Sequence, residues 1–171
     1  MKMKKYELTE TTKIRCGVIL YQIKALMDFS NIKKGDLGGW IEKEKNLSQE
    51  NNCWVYGDAK VYGNAEVFGD AWVFGNAWVF GDAKVFSDTK VYGDAEVSGD
   101  ARVSGDARVS GNAEVFGNAE VFGDAKVFNN AWVSSNAKVY GNAWVSGNTW
   151  VSGDAEVFGD AKVYGNAQLK K

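Results

Sequence analysis

The sequence predicts an all-β fold, a parallel β-helix behind a small β-rich segment, on three observations. From Cys53 onward the 171-residue chain repeats Ala-x-Val-[Phe/Tyr/Ser]-Gly-[Asp/Asn] with no insertion. Valine stands at 55, 61 and every sixth position to 163, nineteen in all, and Leu169 takes the twentieth place. Proline is absent throughout. A fixed short period marks a stacked-repeat architecture, and a period of six marks a parallel β-helix.

Each slot of the hexad has a physical task. Ala and Val are two apart, so on a strand they point to the same side. Val is β-branched and suits extended backbone. The small Ala slot departs only at Cys53, Thr89 and Thr149, and the Gly slot only at Ser87, Asn129 and Ser135. Gly followed by Asp or Asn is turn chemistry, because Gly accepts positive φ and the short polar side chain closes local hydrogen bonds. One hexad buries too little to fold alone, so the repeats must stack.

Residues 1–52 lack the hexad and read as a β-rich cap on the repeat domain, residues 53–171. "KYELTE" and "GVILYQIKAL" read as strands, and "SNIKKGDLGGW" as a glycine-rich loop. A β-helix needs its open end covered, since bare strand edges invite aggregation.

The hexads resemble the left-handed β-helix of the hexapeptide-repeat family. That resemblance implies three hexads per triangular coil of 18 residues, about 6–7 coils, and a preference for trimers. In that family Gly usually follows the large aliphatic residue directly, whereas Phe, Tyr or Ser intervenes here. The segments "MDFSNIKKGDLGGW", "NLSQ" and "CWVYGDAKVYG" resemble the entry of the YdcK-like bacterial proteins, an uncharacterised family labelled as acetyltransferases.

With 18 residues per coil, the outward residues between Ala and Val form three ladders. The first face carries Trp54, Trp72, Lys90, Arg108, Lys126, Trp144 and Lys162. The second carries Lys60, Trp78, Glu96, Glu114, Trp132, Trp150 and Gln168. The third carries Glu66, Lys84, Arg102, Glu120, Lys138 and Glu156, mixing signs like a solvated face. Exposed aromatic residues in bulk signal partners or ligands. Trp54, Trp72, Trp78, Trp132, Trp144 and Trp150 are therefore the candidates for a homo-oligomer interface.

A second candidate site lies near "GDARVSGDARVSG", where Ser98, Ser104 and Ser110 replace corner aromatics and the repeat's two arginines occur. Arg102, Arg108, Lys90 and Lys126, with Trp72 and Trp144, are the candidate set for a planar anion, since Arg presents a fork that fits phosphate or carboxylate. A plain duplication of one hexad explains the same string, and Arg102 and Arg108 sit on different faces. Asp70, Asp88, Asp106 and Asp124 stack along one corner, where turn duty accounts for them without a metal.

Chemistry is bounded by what is missing. The chain has no histidine, so the histidine base that the hexapeptide acyltransferases use has no counterpart, and no Ser-His-Asp or Cys-His arrangement is possible. The glycines recur at six, outside a strand–helix context, so no dinucleotide or P-loop fingerprint is present. Net charge is −2, unlike a DNA-binding cation, and no apolar run is long enough to span a membrane. Two cysteines, Cys16 and Cys53, suit reduced, buried thiols in a cytoplasmic protein. The expectation is a non-catalytic binding or scaffold protein that self-assembles and needs no cofactor. The alternatives are a phage-type or mobile-element sponge for a nucleotide-like signal and, disfavoured, an acyltransferase-like enzyme.

Overall fold

The structure is a computed structural model that describes residues 3–171, so residues 1 and 2 of the expected cap lie outside the described residues. Strands β1 (Tyr6–Arg15), β2 (Val18–Ala25) and β3 (Leu37–Ile41) precede twenty short strands, β4 (Trp54–Val55) to β23 (Gln168–Lys170). Each short strand holds the outward residue and the valine of one hexad, Leu169 standing for valine in the last, and pairs in parallel with the hexad eighteen residues away. Lys90 thus lies between Trp72 and Arg108, and Val91 between Val73 and Val109. Three sheets of ten, seven and six strands result, which are the second, first and third faces. They wind a parallel β-solenoid of about seven coils, without an α-helix among the described residues. No helix there is long and apolar enough to cross a membrane.

The core is a column of methyl groups. Every Ala and Val of the repeat from Val55 to Val145 is buried, as are Cys53, Thr89 and Thr149. Burying one valine side chain contributes about 1.5–3 kcal/mol, which one hexad alone never realises. The two threonines in the Ala slot keep their hydroxyls satisfied, donating to the carbonyls of Phe86 (2.8 Å) and Ser146 (2.6 Å). Between coils, each outward residue's N–H donates to the Ala-slot carbonyl of the next coil, as Arg108 does to Ala125 at 2.9 Å.

The corners explain the Gly slot twice over. Gly105 has φ +69, and a Cβ there would stand 2.8 Å from the backbone nitrogen of Gly123 in the next coil. Ser87, Asn129 and Ser135 fill the same slot at φ 63, 62 and 60, so the left-handed turn is kept at some steric cost. After the corner, amide side chains climb the prism: Asn112 donates to Asn130 (3.1 Å), Asn130 to Asn148 (3.0 Å) and Asn148 to Asn166 (3.0 Å). Corner rings stack likewise, Phe68 on Phe86 at 4.9 Å and Phe122 on Tyr140 at 4.8 Å. Ser104 interrupts that column between Phe86 and Phe122.

The N-terminal segment differs from the sequence reading in three respects. First, β1 and β2 form one antiparallel hairpin, turned by Cys16 and Gly17 at φ 49 and 77. Two successive positive φ values are the signature of a type I′ turn. Cys16 is therefore exposed rather than buried, and both thiols are free. Second, the glycine-rich stretch is partly strand: β3 pairs antiparallel with β2 and parallel with Lys60–Val61. A Cβ at Gly38 would fall 2.5 Å from Cγ1 of Ile23 and 2.7 Å from both the Trp54 ring and the Val55 carbonyl. Only glycine lets the strand lie so close. Third, the coil geometry begins before the hexad does. Ile41 pairs with Val61 and Leu47 bridges to Val67, offsets of twenty where the repeat has eighteen. The two extra residues fall between Leu47 and Cys53, and their absence from any motif hid this first coil.

Candidate functional site

An open groove of about 1190 Å³ runs along the first face. Trp72, Lys90, Arg108, Lys126 and Trp144 line it in successive coils, with Asp70, Asp88, Asp106 and Asp124 along one side. The sheet alone sets this order, because parallel pairing puts each outward residue one coil from the next. Lys90 and Arg108 are exposed, and no ion pair found among the described residues involves either. Lys126 lies over the Trp144 ring at 4.6 Å, and Lys162 approaches the same ring at 5.2 Å.

The aspartates differ from their neighbours in the same column. Asn52 donates to Asp70 at 2.8 Å, and Asn142 to Asp160 at 2.9 Å. From Asp70 to Asp124 the column holds carboxylates alone, with the cations Lys90, Arg108 and Lys126 two residues after the last three. No group of three or more His, Cys, Asp or Glu among the described residues is placed to hold a metal ion.

Five of the six expected ligand residues therefore meet in one groove. The sixth, Arg102, does not join them. It lies on the third face, in a smaller polar cleft of about 500 Å³ with Lys84, Glu66 and Asp100. The corner between the two sheets keeps Arg102 and Arg108 apart, as their places on different faces require.

Trp54 is a second correction. As the first rung of the ladder it was expected on the surface, yet it is completely buried. Tyr6 and Phe29 pack edge-on against it at 6.1 and 5.3 Å, and its indole Nε1 has no hydrogen-bond partner. The cap covers this rung and withdraws it from any interface. Beside it, Lys5 is also buried, bonding the Cys53 carbonyl at 2.9 Å and its sulfur at 3.3 Å. Burial holds the Lys5 ammonium below the usual lysine range and pushes the Cys53 thiol up.

The remaining tryptophans face outward. Trp144 and Trp150 are 38% and 46% exposed, while Trp72, Trp78 and Trp132 are half-buried. On the second face Trp132 and Trp150 stack at 4.8 Å, and Arg15 of the hairpin lies over Trp78 at 4.6 Å. Between these aromatic ends, Glu96 and Glu114 are paired neighbours. Burial first, and then the charge of Glu96, raises the Glu114 carboxyl above its ordinary value. Arg15 could not be assigned from sequence, because the hairpin's landing place is not periodic.

The unbroken hexads, the three parallel sheets and the buried Ala/Val column define a hexapeptide-repeat β-solenoid protein. A family model for the YdcK β-solenoid repeat matches residues 95–111, 101–115 and 137–153. The chain is also similar to the uncharacterized acetyltransferase YdcK of Escherichia coli (strain K12). The two are 40% identical over 62 residues, which is 32% of this chain and 19% of that protein.

Proposed function

We propose that the chain is a non-catalytic binding and scaffold protein that works through the ladders of its first and second faces, and that it self-assembles. The observation that supports this most directly is the segregation of outward residues. All of the repeat's exposed or half-buried tryptophans stand on two faces, while the third carries three glutamates and three cations. Aromatic rings beside charged groups are the usual anchors of protein interfaces. The acetyltransferase name belongs to a relative matched over 19% of its length, and this chain lacks the histidine such chemistry needs as a base.

The groove supports a second reading, capture of a nucleotide-like anion. Its rings offer stacking surfaces, and its free cations suit phosphate. Sequestration of a signal in a phage or mobile-element setting is the role this would serve. Sedimentation velocity of the wild type, Trp72→Ala and Trp144→Ala, with titration of a cyclic nucleotide by calorimetry, separates the two. Association that is lost in the tryptophan variants, without nucleotide binding, supports assembly. A monomer that binds the nucleotide and loses it with Arg108→Ala supports capture and overturns assembly.

A further inference from the structure

Each corner of the solenoid carries a vertical column of rings, and a serine between two rings leaves a gap in it. Ser104 makes such a gap. Val103 pairs with Val85 and with Val121, so Phe86, Ser104 and Phe122 stand on successive rungs. Phe86 stacks on Phe68 at 4.9 Å and Phe122 on Tyr140 at 4.8 Å, each pair with its planes 1° apart. The free faces of Phe86 and Phe122 therefore oppose each other across two rungs, about 9.6 Å. A flat ring seated midway lies about 4.8 Å from each, inside the range that ring pairs prefer. A second ring would not fit.

The border of the gap is defined by what meets a ring in the same column. Two coils further on, the corner ring is Tyr140, and its hydroxyl donates to the Glu156 carboxylate at 3.0 Å. The same step from position 104 leads to Glu120. Arg102 stands two residues before Ser104 on extended chain and so points to the same side. Arg102 is exposed and Glu120 half-buried. Parallel pairing makes them direct neighbours, yet no ion pair found among the described residues involves either. A free donor fork and a free acceptor thus border one ring-sized gap.

We infer that this gap is a binding site for a single purine base of the guanine type. Guanine O6 and N7 accept from an arginine fork. Its N1–H and amino group, on the adjoining edge, donate to a carboxylate. Phe86 and Phe122 supply the two stacking faces. The base is neutral, so the site needs no net positive charge. It lies at the corner of the third face, apart from the first-face groove, and depends neither on association of copies nor on anion capture there. Ser98, Ser110 and Ser146 also have a ring above and a ring below. Their two border positions hold, in turn, two glutamates, two cations, and a tryptophan with a lysine. Of these gaps, that at Ser104 alone joins an arginine to a carboxylate.

Equilibrium dialysis of the full chain against guanosine tests the site. The wild type is expected to bind one guanosine per chain. Ser104→Phe restores the residue that stands at 86 and 122 in the same column, so the fold accommodates it, and it should abolish binding. Ser146→Phe closes a gap with a different border and should leave binding unchanged. Arg102→Ala and Glu120→Gln should each weaken guanosine on the order of tenfold, and adenosine, which lacks O6 and N1–H, should bind the wild type more weakly by a similar factor. Both side chains point outward, so these two variants decide the matter if Ser104→Phe fails to fold. No saturable guanosine binding at millimolar concentration, binding that survives Ser104→Phe, or binding indifferent to both Arg102→Ala and Glu120→Gln overturns the assignment. Loss with Arg108→Ala instead places the ligand in the first-face groove and overturns it equally.

Discussion

Adding one methyl group at Gly38 should unseat the N-terminal segment. A Cβ there would lie 2.5 Å from Ile23 Cγ1 and 2.7 Å from the Val55 carbonyl. The isoleucine can turn, but the carbonyl belongs to the first regular coil and cannot. Overpacking of this kind costs about 2–3 kcal/mol, and for a chain of this length that is roughly 4–12 °C in Tm. Gly35→Ala is the control. Its φ is +97, and a Cβ there would meet nothing within 4 Å, so only the backbone cost of about 1 kcal/mol applies. Displacement of the segment also opens the site where Cys53 is buried. In a Cys16→Ser background, alkylation of Cys53 should be faster in Gly38→Ala than in Gly35→Ala. Equal Tm values and equal alkylation rates would refute the close approach of β3 to Trp54 and Val55.

Four further outcomes follow from the same contacts. Gly105→Ala should lower stability by about 2–3 kcal/mol in urea unfolding, since strain at φ +69 adds to the 2.8 Å approach of Gly123. Ser87→Gly should raise stability by about 1 kcal/mol, because the turn at φ 63 suits glycine. Tyr6→Phe should cost about 1–3 kcal/mol in thermal unfolding, as the buried Leu47 carbonyl loses its donor at 2.6 Å. Glu114 carries the pH test. Its folded carboxyl titrates above the unfolded one, so its contribution is present below the unfolded value and lost as pH rises through the folded value. Between pH 7 and pH 4 the wild type should gain Tm relative to Glu114→Gln.

Much of this architecture is legible from spacing because the repeat never slips. Once Val55 and Val73 are neighbours, the positions of Trp72, Lys90 and Arg108 follow by counting. The same counting misplaced Trp54, since a ladder describes stacking and not what packs over its first rung. Burial of Trp54 depends on Phe29, Tyr6 and the narrow β3, whose contacts span more than thirty residues of non-repeating chain. The turn at Cys16–Gly17 and the coil formed by Ile41 and Leu47 were missed for a related reason. Each relies on one local conformation, and no second copy in the sequence advertises it. The groove itself was foreseeable as five residues in a column, but its depth comes from the aspartate side wall and the rings at its two ends.

A native mass spectrum of the freshly purified full chain tests the central claim most directly, because it reports subunit number and retained small molecules together. If the two tryptophan-bearing faces exist to hold neighbouring copies, the spectrum shows a single homo-oligomer whose mass is a whole multiple of the chain. A monomer at the same concentration, above all one carrying a bound anion, would contradict it.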